Sequence, residues 1–367
     1  MKNLHQDIFA EATRLTQRGE LQAATALIQR ALRGDTAPMP ASAEAAHADA
    51  QGGLVIDAES RFIDDAAPPA GAPPEAGAEQ WLHGSFGLQG RQLAYRLYVP
   101  PQLSGAGGMP APRPLVLMLH GCTQDPDDFA AGTRMNALAR EAGVLVLYPA
   151  QIQHANAQKC WNWFKAQHQQ RGRGEPALLA GLTRQVMAEH AVDAARVYVA
   201  GLSAGGAMAD ILGRCYPELF AAIGVHSGLP AGAAADLPAA LAAMRSGAPA
   251  ARAGAAAVRP VIVFHGDADG TVHPANGNAV VDAARSAQPG TGAAQVVQGQ
   301  TPDGQRYTQS VYRRADGRSA IEHWLLHGGG HAWSGGSVAG SYTAPRGVDA
   351  SAEMLRFFLS HTQLPVS

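Results

Sequence analysis

The sequence of 367 residues lacks the features that mark several functional classes. It has no charge excess, because 28 lysines and arginines are balanced by 30 aspartates and glutamates. Surfaces that bind nucleic acid or anionic membranes normally show a basic excess, so we expect no nucleic-acid partner. The sequence also has no run approaching the ~18 continuous apolar residues of a transmembrane helix, so we expect no membrane span.

The start of the sequence lacks the apolar run of roughly 7–15 residues found in a secretory signal. Charged residues interrupt residues 1–21 every few positions. As written, the sequence therefore predicts a cytoplasmic protein, unless a signal was removed earlier or the chain uses another export route.

Cysteine is scarce in this chain. Cys122, Cys160 and Cys215 are too few for a disulfide scaffold, and none lies in a CxxC metal-binding spacing. We therefore expect neither a metal nor another cofactor. At most one disulfide can form, and free buried thiols are the expected state in a chain without a signal.

Composition divides the chain into three regions. Residues 1–34 carry apolar residues at helical spacing on either side of a break at 18–20, which predicts a pair of short amphipathic helices. Residues 35–80 are rich in alanine, proline, glycine and acidic residues, as is typical of a flexible linker. Residues 81–367 form the predicted catalytic domain. A helical pair this small buries little surface alone, so we expect it to dock on the main domain, self-associate or bind a partner.

Residues 81–367 alternate between strand and helix patterns. The five central strands are almost entirely apolar, as expected for strands buried on both faces of a parallel sheet. The sequence therefore predicts an α/β fold with a mostly parallel central sheet and helices on both faces. The Ala-rich stretch 231–257 fits either a short cap or a loop with helical turns. The predicted strands are 92–99, 115–119, 144–148, 196–200, 221–226, 261–265 and 321–326, and the predicted helices are 127–142, 176–190, 204–215, 275–287 and 348–360.

The strongest functional signal is the segment Gly201-Leu-Ser203-Ala-Gly205, which lies between an apolar strand and an Ala-rich helix. In a nucleophile elbow the serine lies on a sharp strand-to-helix turn, and small residues two positions before and after it leave room for that turn. The N-terminus of the following helix stabilises developing negative charge. The pattern predicts that Ser203 is a catalytic nucleophile, and an ordinary Gly-Ser turn is the alternative.

A nucleophile elbow requires an acid after a later strand and then a histidine. Asp267 and Asp269 directly follow the predicted strand 261–265, and Asp269, deeper in the turn, is the better candidate for orienting an imidazole. Asp267 is then a turn former that bonds to backbone amides, an interpretation that stays open for both residues. His331 lies in a glycine-flanked loop between the last strand and the closing helix, which is where the general base belongs.

These residues define a mechanism through an acyl-enzyme. His331 takes the proton of Ser203, and two backbone N–H groups stabilise the oxyanion. One belongs to Ala204, directly after the nucleophile, and we assign the other to Cys122 in the HGCTQ segment at 120–124. Four further histidines at or near strand ends are interpreted as hydrogen-bonded scaffold: His120, His265, His327 and the outward-facing His323.

Residues 83–360 resemble the poly(3-hydroxybutyrate) depolymerase family of esterases, a branch close to the feruloyl and acetylxylan esterases. The matching segments are LVLMLHGCTQDPDDFAAGTRMNALA, KCWNWF, RGEPALLAGLTRQV, VYVAGLSAGGAM and VIVFHGDADGTVHPANG. HGCTQ and CWNWF are more specific than GxSxG, because the general hydrolase fold does not require them. The resemblance implies an α/β-hydrolase fold and the following site residues: Ser203, Asp269 and His331 for the triad, with Cys122 and Ala204 for the oxyanion hole.

Two features depart from the family pattern. Ser334 stands in GHAWSGG where many relatives carry proline, and nothing resembles the separate polymer-binding domain of secreted depolymerases. The joint occurrence of HGCTQ and KCWNW in the family suggests that Cys122 and Cys160 lie close together, on loops that follow neighbouring parallel strands. A disulfide between them would hold the N–H of Cys122 in place. The disulfide and the free thiols are the two alternatives for this pair.

Aromatic side chains near the site are candidates for the walls of the acyl pocket, since a rigid ring supplies apolar contact at low entropy cost. Trp161, Trp163 and Trp333 are the substrate-binding candidates. Core packing is the alternative for Trp161 and Trp163.

Together with the resemblance, the sequence predicts a serine esterase that cleaves carboxylic esters, with poly(3-hydroxybutyrate)-type polyesters or their oligomers as substrates. A feruloyl- or acetyl-type carbohydrate esterase is the alternative, and a peptidase would use the same triad. A protein that binds a granule or a partner through residues 1–34 is an alternative of another class. The resemblance suggests an extracellular location, which leaves the compartment open.

Overall fold

The computed structural model describes residues 77–101, 111–249 and 259–363. They belong to the larger of the two units into which the chain divides, residues 70–367. The predicted N-terminal helical pair and most of the predicted linker lie outside the described residues. The first strand begins at Gln80, one residue before the predicted domain boundary.

A large sheet forms the centre of this unit. The strands, numbered in chain order, are β1 (Gln80–Leu88), β2 (Arg91–Val99), β3 (Arg113–Leu119), β4 (Leu145–Pro149), β5 (Val192–Leu202), β6 (Ala222–His226), β7 (Val261–Gly266), β8 (Gln295–Gln300), β9 (Arg306–Arg313), β10 (Ser319–Leu326), β11 (Trp333–Ser334) and β12 (Thr343–Ala344). The first ten form one sheet in the order β1-β2-β4-β3-β5-β6-β7-β10-β9-β8, and β11 pairs with β12 in parallel.

The middle of the sheet is parallel and its edges are antiparallel. Strands β4, β3, β5, β6, β7 and β10 pair in parallel, whereas β1 and β2 lie antiparallel at one edge and β9 and β8 at the other. All seven predicted strands are present. Five strands have no counterpart in the sequence prediction: β1, β8, β9, β11 and β12. For β8 the reason is that nearly every residue is exposed, so no alternation of apolar residues marks it.

The described residues contain seven α-helices: α1 (Pro126–Thr133), α2 (Met135–Ala142), α3 (Gly174–Glu189), α4 (Ala204–Cys215), α5 (Leu237–Ser246), α6 (Ala275–Ser286) and α7 (Ala350–Leu359). The helix predicted at 127–142 is two helices, because Arg134 between them has a left-handed backbone with φ of 57°. The undecided stretch 231–257 contains α5 within its described part.

The core has two layers, one on each face of the sheet. Leu115, Leu117 and Leu119 of β3 belong to the layer that contains residues of α3, α4, α5 and α6, and Val116 and Met118 belong to the layer that contains residues of α1, α2 and α7. Successive side chains of a strand point to opposite faces, so helices cover both faces and the predicted α/β architecture is confirmed. No helix in the described ranges combines the length and apolar character needed to cross a lipid bilayer.

Candidate active site

Ser203 lies at the sharp turn between β5 and α4. Its backbone has φ of 57° and ψ of −118°, a region that L-residues seldom occupy and that costs about 1–3 kcal/mol. A Cβ at Gly201 would collide with the backbone of Gly205, and a Cβ at Gly205 would collide with the carbonyl oxygen of Leu119. The two glycines are therefore required by close backbone approach, as a nucleophile elbow demands.

Asp269 and His331 meet on two adjacent loops. Asp269 follows β7 and His331 follows β10, and because these strands pair in parallel their C-terminal loops leave the sheet side by side. His331 Nδ1 lies 2.8 Å from Asp269 Oδ2, within hydrogen-bond distance. The contact that the sequence predicted between the two side chains is present.

The surroundings of Asp269 stabilise its ionised form. Burial by itself would raise the pKa of this carboxyl, but hydrogen bonds from His265 and His331 outweigh it and hold the pKa well below the usual range. The backbone N–H groups of Thr271 and Val272 donate to Asp269 Oδ1 at 2.9 and 2.8 Å. The carboxylate is thus a fixed negative charge beside the His331 imidazole.

The hydroxyl of Ser203 and the second nitrogen of His331 remain without partners. Among the described residues, neither Ser203 Oγ nor His331 Nε2 has a hydrogen-bond partner within 3.5 Å, and the two are not bonded to each other. Nucleophile–base hydrogen bonds are often long in enzymes without substrate and shorten when substrate binds. With Nδ1 bound to Asp269, Nε2 is the nitrogen left to take a proton.

Two backbone N–H groups near Ser203 are also unengaged. The N–H groups of Cys122 and Ala204 donate to no acceptor in the described part of the chain. The loop that carries Cys122 is held on both sides: Gly121 N–H donates to Gln124 Oε1 at 2.9 Å, and Trp161 Nε1 donates to the His120 carbonyl at 3.1 Å. Rigid, unpaired donors of this kind suit a developing oxyanion.

Comparison with known protein families assigns residues 93–290 to the family described as esterase PHB depolymerase. The match covers more than half of the 367-residue chain. The chain belongs to the esterase PHB depolymerase family. The family relationship predicted from HGCTQ, CWNWF and the elbow is thereby confirmed.

Relatives of this esterase-family chain include depolymerases and carbohydrate esterases. It is 33% identical over 263 residues to poly(3-hydroxyalkanoate) depolymerase C of Paucimonas lemoignei, covering 67% of this chain and 60% of that protein. It is 30% identical over 151 residues to feruloyl esterase B of Thermothelomyces thermophilus, covering 41% of this chain and 49% of the relative. The chain thus spans less than two thirds of the length of either curated relative.

A solved structure shares the fold. The acetyl xylan esterase from Aspergillus awamori matches with a TM-score of 0.59 at 19% identity, over 77% of this chain and 100% of that one. The chain of the esterase PHB depolymerase family therefore has the α/β-hydrolase fold.

The structure joins Cys122 and Cys160 in a disulfide, with a Cα–Cα distance of 4.2 Å. Free thiols at these two positions, the state expected for a chain without a signal, are therefore wrong, and Cys215 alone is a free cysteine. The bridge links the loop after β3 to the segment that carries Trp161 and Trp163. It adds a covalent constraint to the two hydrogen bonds that hold the backbone presenting the Cys122 N–H.

The three candidate substrate-binding tryptophans are buried in this family member. Trp161 and Trp333 are 0% and 1% exposed, and their indole N–H groups donate to the His120 carbonyl and the Ser351 hydroxyl. Trp163 is 5% exposed and packs edge-on against Phe164. The structure does not support the expectation that these rings form open pocket walls, because their surfaces are already covered by the scaffold.

Asp267 pairs with a different histidine. Its carboxylate lies 2.8 Å from His327 Nδ1 and accepts the Gly328 N–H at 2.6 Å. Gly328 lies on the other loop, so this amide contact is not the local turn predicted for Asp267, and the contact with His327 was not predicted either. The local turn contacts are made by Asp269 instead. His323 is buried rather than outward-facing, because the sheet is covered on both faces.

Two contacts that support the site were not predicted. His265 was interpreted as hydrogen-bonded scaffold, and its Nε2 lies 3.5 Å from Asp269 Oδ2, so it contacts the candidate acid directly. Glu175 is buried and accepts hydrogen bonds from both the backbone and side-chain nitrogens of Asn162, in the CWNWF segment, at 2.7 and 2.6 Å. No sequence signal marked Glu175, because it lies in the first turn of a helix that carries other charged residues, and an acidic residue is common at that place.

Proposed function

We propose that this chain is a serine esterase that hydrolyses carboxylic esters through an acyl-enzyme. The observation that carries the proposal is the Asp269–His331 pair, held at 2.8 Å on loops beside an elbow that presents Ser203. A carboxylate that fixes an imidazole next to an activated hydroxyl is the arrangement of serine hydrolases on unrelated folds. Ser203 is the nucleophile, His331 the base and Asp269 the orienting acid.

In the first half-reaction, His331 Nε2 accepts the Ser203 hydroxyl proton while Oγ bonds to the ester carbonyl carbon. The carbonyl oxygen becomes an oxyanion, which the N–H groups of Cys122 and Ala204 stabilise. As the bond to the alcohol oxygen breaks, the imidazolium returns its proton to that oxygen, and the free alcohol leaves. Water then repeats the sequence on the acyl-enzyme and releases the acid.

Polyesters of hydroxyalkanoic acids, or their oligomers, are the proposed substrates. Support comes from the depolymerase relative in Paucimonas lemoignei, with which this chain shares its most extensive match among the relatives described above. A carbohydrate esterase is the second candidate, favoured by the similarity to feruloyl esterase B and by the fold shared with an acetyl xylan esterase. Self-association through residues 1–34 stays a prediction.

The disulfide favours an oxidising compartment for this enzyme. Disulfides persist outside the cytosol and are rare within it, where thiols are kept reduced. Of the two locations considered from the sequence, the Cys122–Cys160 bridge therefore supports the extracellular one. It argues against the cytoplasm.

Labelling and turnover test the chemistry. A fluorophosphonate probe should modify the wild-type chain at Ser203, and Ser203→Ala should lose both the labelling and the hydrolysis of a short soluble ester. Ser319→Ala is a control at the start of β10, where the buried serine hydroxyl has no hydrogen-bond partner among the described residues, and it should still be labelled. Labelling that persists in Ser203→Ala would show that another residue is the nucleophile.

A substrate panel tests the specificity. Soluble 3-hydroxybutyrate oligomers, amorphous polyester, methyl ferulate and acetylated xylan should be compared by kcat/KM or by initial release rate. The proposal expects the oligomers and polyester to be cleaved fastest. Preferential cleavage of ferulate or acetylxylan would assign the chain to the carbohydrate esterases while leaving the triad unchanged.

A further inference from the structure

We propose that His226 is a positioning residue that links the backbone of the nucleophile to the loop of the base. The inference rests on the proposed esterase function but concerns a residue that neither the triad nor the oxyanion hole includes. His226 is the last residue of β6, which lies between β5, the strand that leads to Ser203, and β7, the strand that leads to Asp269. It is completely buried.

The backbone of His226 holds the elbow. The Ser203 N–H donates to the His226 carbonyl at 2.8 Å. Because Ser203 has an unfavourable backbone conformation, this hydrogen bond is one of the contacts that keep the residue in that conformation.

The ring of His226 holds the base loop. The Ser334 N–H donates to His226 Nε2 at 3.1 Å, and Ser334 is three residues beyond His331. The ring also lies between Trp333, with a centroid distance of 5.1 Å, and Phe264 of β7, at 5.7 Å. One side chain therefore contacts the base loop through a hydrogen bond and a stacked indole.

These contacts require a neutral ring with one defined tautomer. A backbone N–H can only donate, so Nε2 must carry a lone pair, and the ring proton must be on Nδ1. Nδ1 lies 3.1 Å from Ser227 Oγ, which accepts that proton. Burial, together with the nearby His265 and His331, lowers the pKa of His226 to about 3 against the opposing charge of Asp269. The ring therefore stays neutral at neutral pH, and Nε2 remains an acceptor.

His226 thus has two anchors: its carbonyl binds the Ser203 backbone, and its ring binds the loop that carries His331. Neither anchor touches a substrate, so their loss should alter the distance between nucleophile and base and not the binding of the ester. Misplacement by about 1 Å can cost about 100-fold in rate. Loss of the hydrogen bond between Ser334 and the His226 ring is therefore expected to lower kcat.

His226 offers a matched pair of variants. His226→Phe keeps a ring that can stack on Trp333 but has no acceptor for the Ser334 N–H, whereas His226→Gln keeps an acceptor. The backbone carbonyl of residue 226, which accepts the Ser203 N–H, is present in both variants. Ser334→Pro is not used, because many relatives carry proline at this position and the proline ring would occupy the place of the N–H beside the His226 ring.

The experiment measures kcat, KM, fluorophosphonate labelling rate and Tm for full-length wild type and both variants. We expect His226→Phe to lower kcat and the labelling rate about 10- to 100-fold relative to wild type, with KM within about two-fold. His226→Gln, which retains an acceptor, should recover part of this loss. If the phenylalanine variant does not fold, His226→Met replaces it, since methionine has the length of glutamine and lacks its amide acceptor.

Equal kcat values in His226→Phe and His226→Gln, both folded, would overturn the inference. So would a loss that appears only in KM, or a His226→Phe protein with wild-type turnover. Wild-type protein that is neither labelled nor active on any ester would overturn the proposed function instead, which keeps the two failures apart.

Discussion

Two aspartate–histidine pairs join the same two loops of this molecule, and their surroundings differ. Asp269–His331 and Asp267–His327 have the same Nδ1–Oδ2 distance of 2.8 Å. In the first pair the side chains are 0% and 12% exposed, and in the second they are 39% and 30% exposed. A short contact between an aspartate and a histidine therefore does not by itself identify the catalytic pair.

The second nitrogen of each imidazole makes the distinction. His327 Nε2 is bonded to Thr308 Oγ1 of β9 at 2.9 Å, so its ring is enclosed between a carboxylate and a hydroxyl. His331 Nε2 has no hydrogen-bond partner among the described residues, which leaves it able to accept a proton. The inner pair fits a base and its orienting acid, and the outer pair fits a clamp between the loops.

The outer pair fastens the glycine-rich segment that carries His331. Asp267 accepts the Gly328 N–H, and the backbone N–H of Ala268 donates to the Gly329 carbonyl at 3.1 Å. The loop after β10 is thereby attached to the loop after β7 just before His331. The contribution of this clamp is expected to be modest, because partly exposed ion pairs stabilise by about 0–1 kcal/mol.

Removing the two imidazoles in turn should give the largest contrast between the pairs. His331→Ala should reduce kcat by about 10⁶-fold, as loss of the base does in other serine hydrolases. His327→Ala should reduce it by less than about 10-fold, because it removes only the clamp. Steady-state hydrolysis of a soluble ester measures both, with Tm as the control for folding. A large loss in His327→Ala with little change in His331→Ala would exchange their roles.

The two carboxylates should give a smaller contrast in the same direction. Asp269→Asn should lower kcat by about 10⁴-fold, because the amide oxygen takes the place of Oδ1, which accepts two backbone N–H groups, and the amide NH2 then donates to His331 Nδ1 and favours the wrong imidazole tautomer. Asp267→Asn should lower it by less than about 10-fold, since the amide retains an acceptor for Gly328. Both variants conserve side-chain volume, so kcat is the decisive measurement, and Tm shows that each variant is folded at the assay temperature. The reverse ranking would assign the orienting role to Asp267.

The local signals of the site were readable from the sequence because they depend on a few neighbouring residues. Gly201 and Gly205 mark the elbow through a steric requirement, and strand ends followed by Asp269 and His331 mark the loops. The resulting prediction of fold and family is confirmed by the comparisons. The roles of Ser203 and its partners remain predictions.

Contacts between distant segments could not be predicted in this way. In the sequence, His226 is simply the last residue of an apolar strand. Only the three-dimensional structure shows that its ring reaches Ser334. Trp333 is two residues from His331, but closeness in sequence does not fix the direction of a side chain, and its ring points into the core. The choice between a disulfide and free thiols stayed open, because the spacing of the cysteines does not show which compartment controls their oxidation.

Acid stability should give the smallest contrast between the two pairs. Both carboxyl groups have a lowered pKa: burial opposes the shift in each case, but hydrogen bonds from His265 and His331 to Asp269, and from His327 and Gly328 to Asp267, outweigh it. A carboxyl whose pKa is lower in the folded state stabilises the fold above its unfolded pKa of about 3.9. That contribution disappears as the pH falls below about 4 toward the folded-state value. The loss should be larger for the buried Asp269 than for the half-exposed Asp267, where solvent screens the interaction.

The measurement is Tm as a function of pH from 6 to about 2.5, for wild type, Asp269→Asn and Asp267→Asn. An asparagine cannot titrate, so Asp269→Asn should remove part of the acid-induced fall in Tm, by a few degrees for a domain of this size. Asp267→Asn should follow the wild-type curve more closely, with a parallel shift that reports the lost clamp. If Asp267→Asn flattened the curve more than Asp269→Asn, the outer pair would be the more strongly coupled one, and the distinction drawn from burial would be wrong.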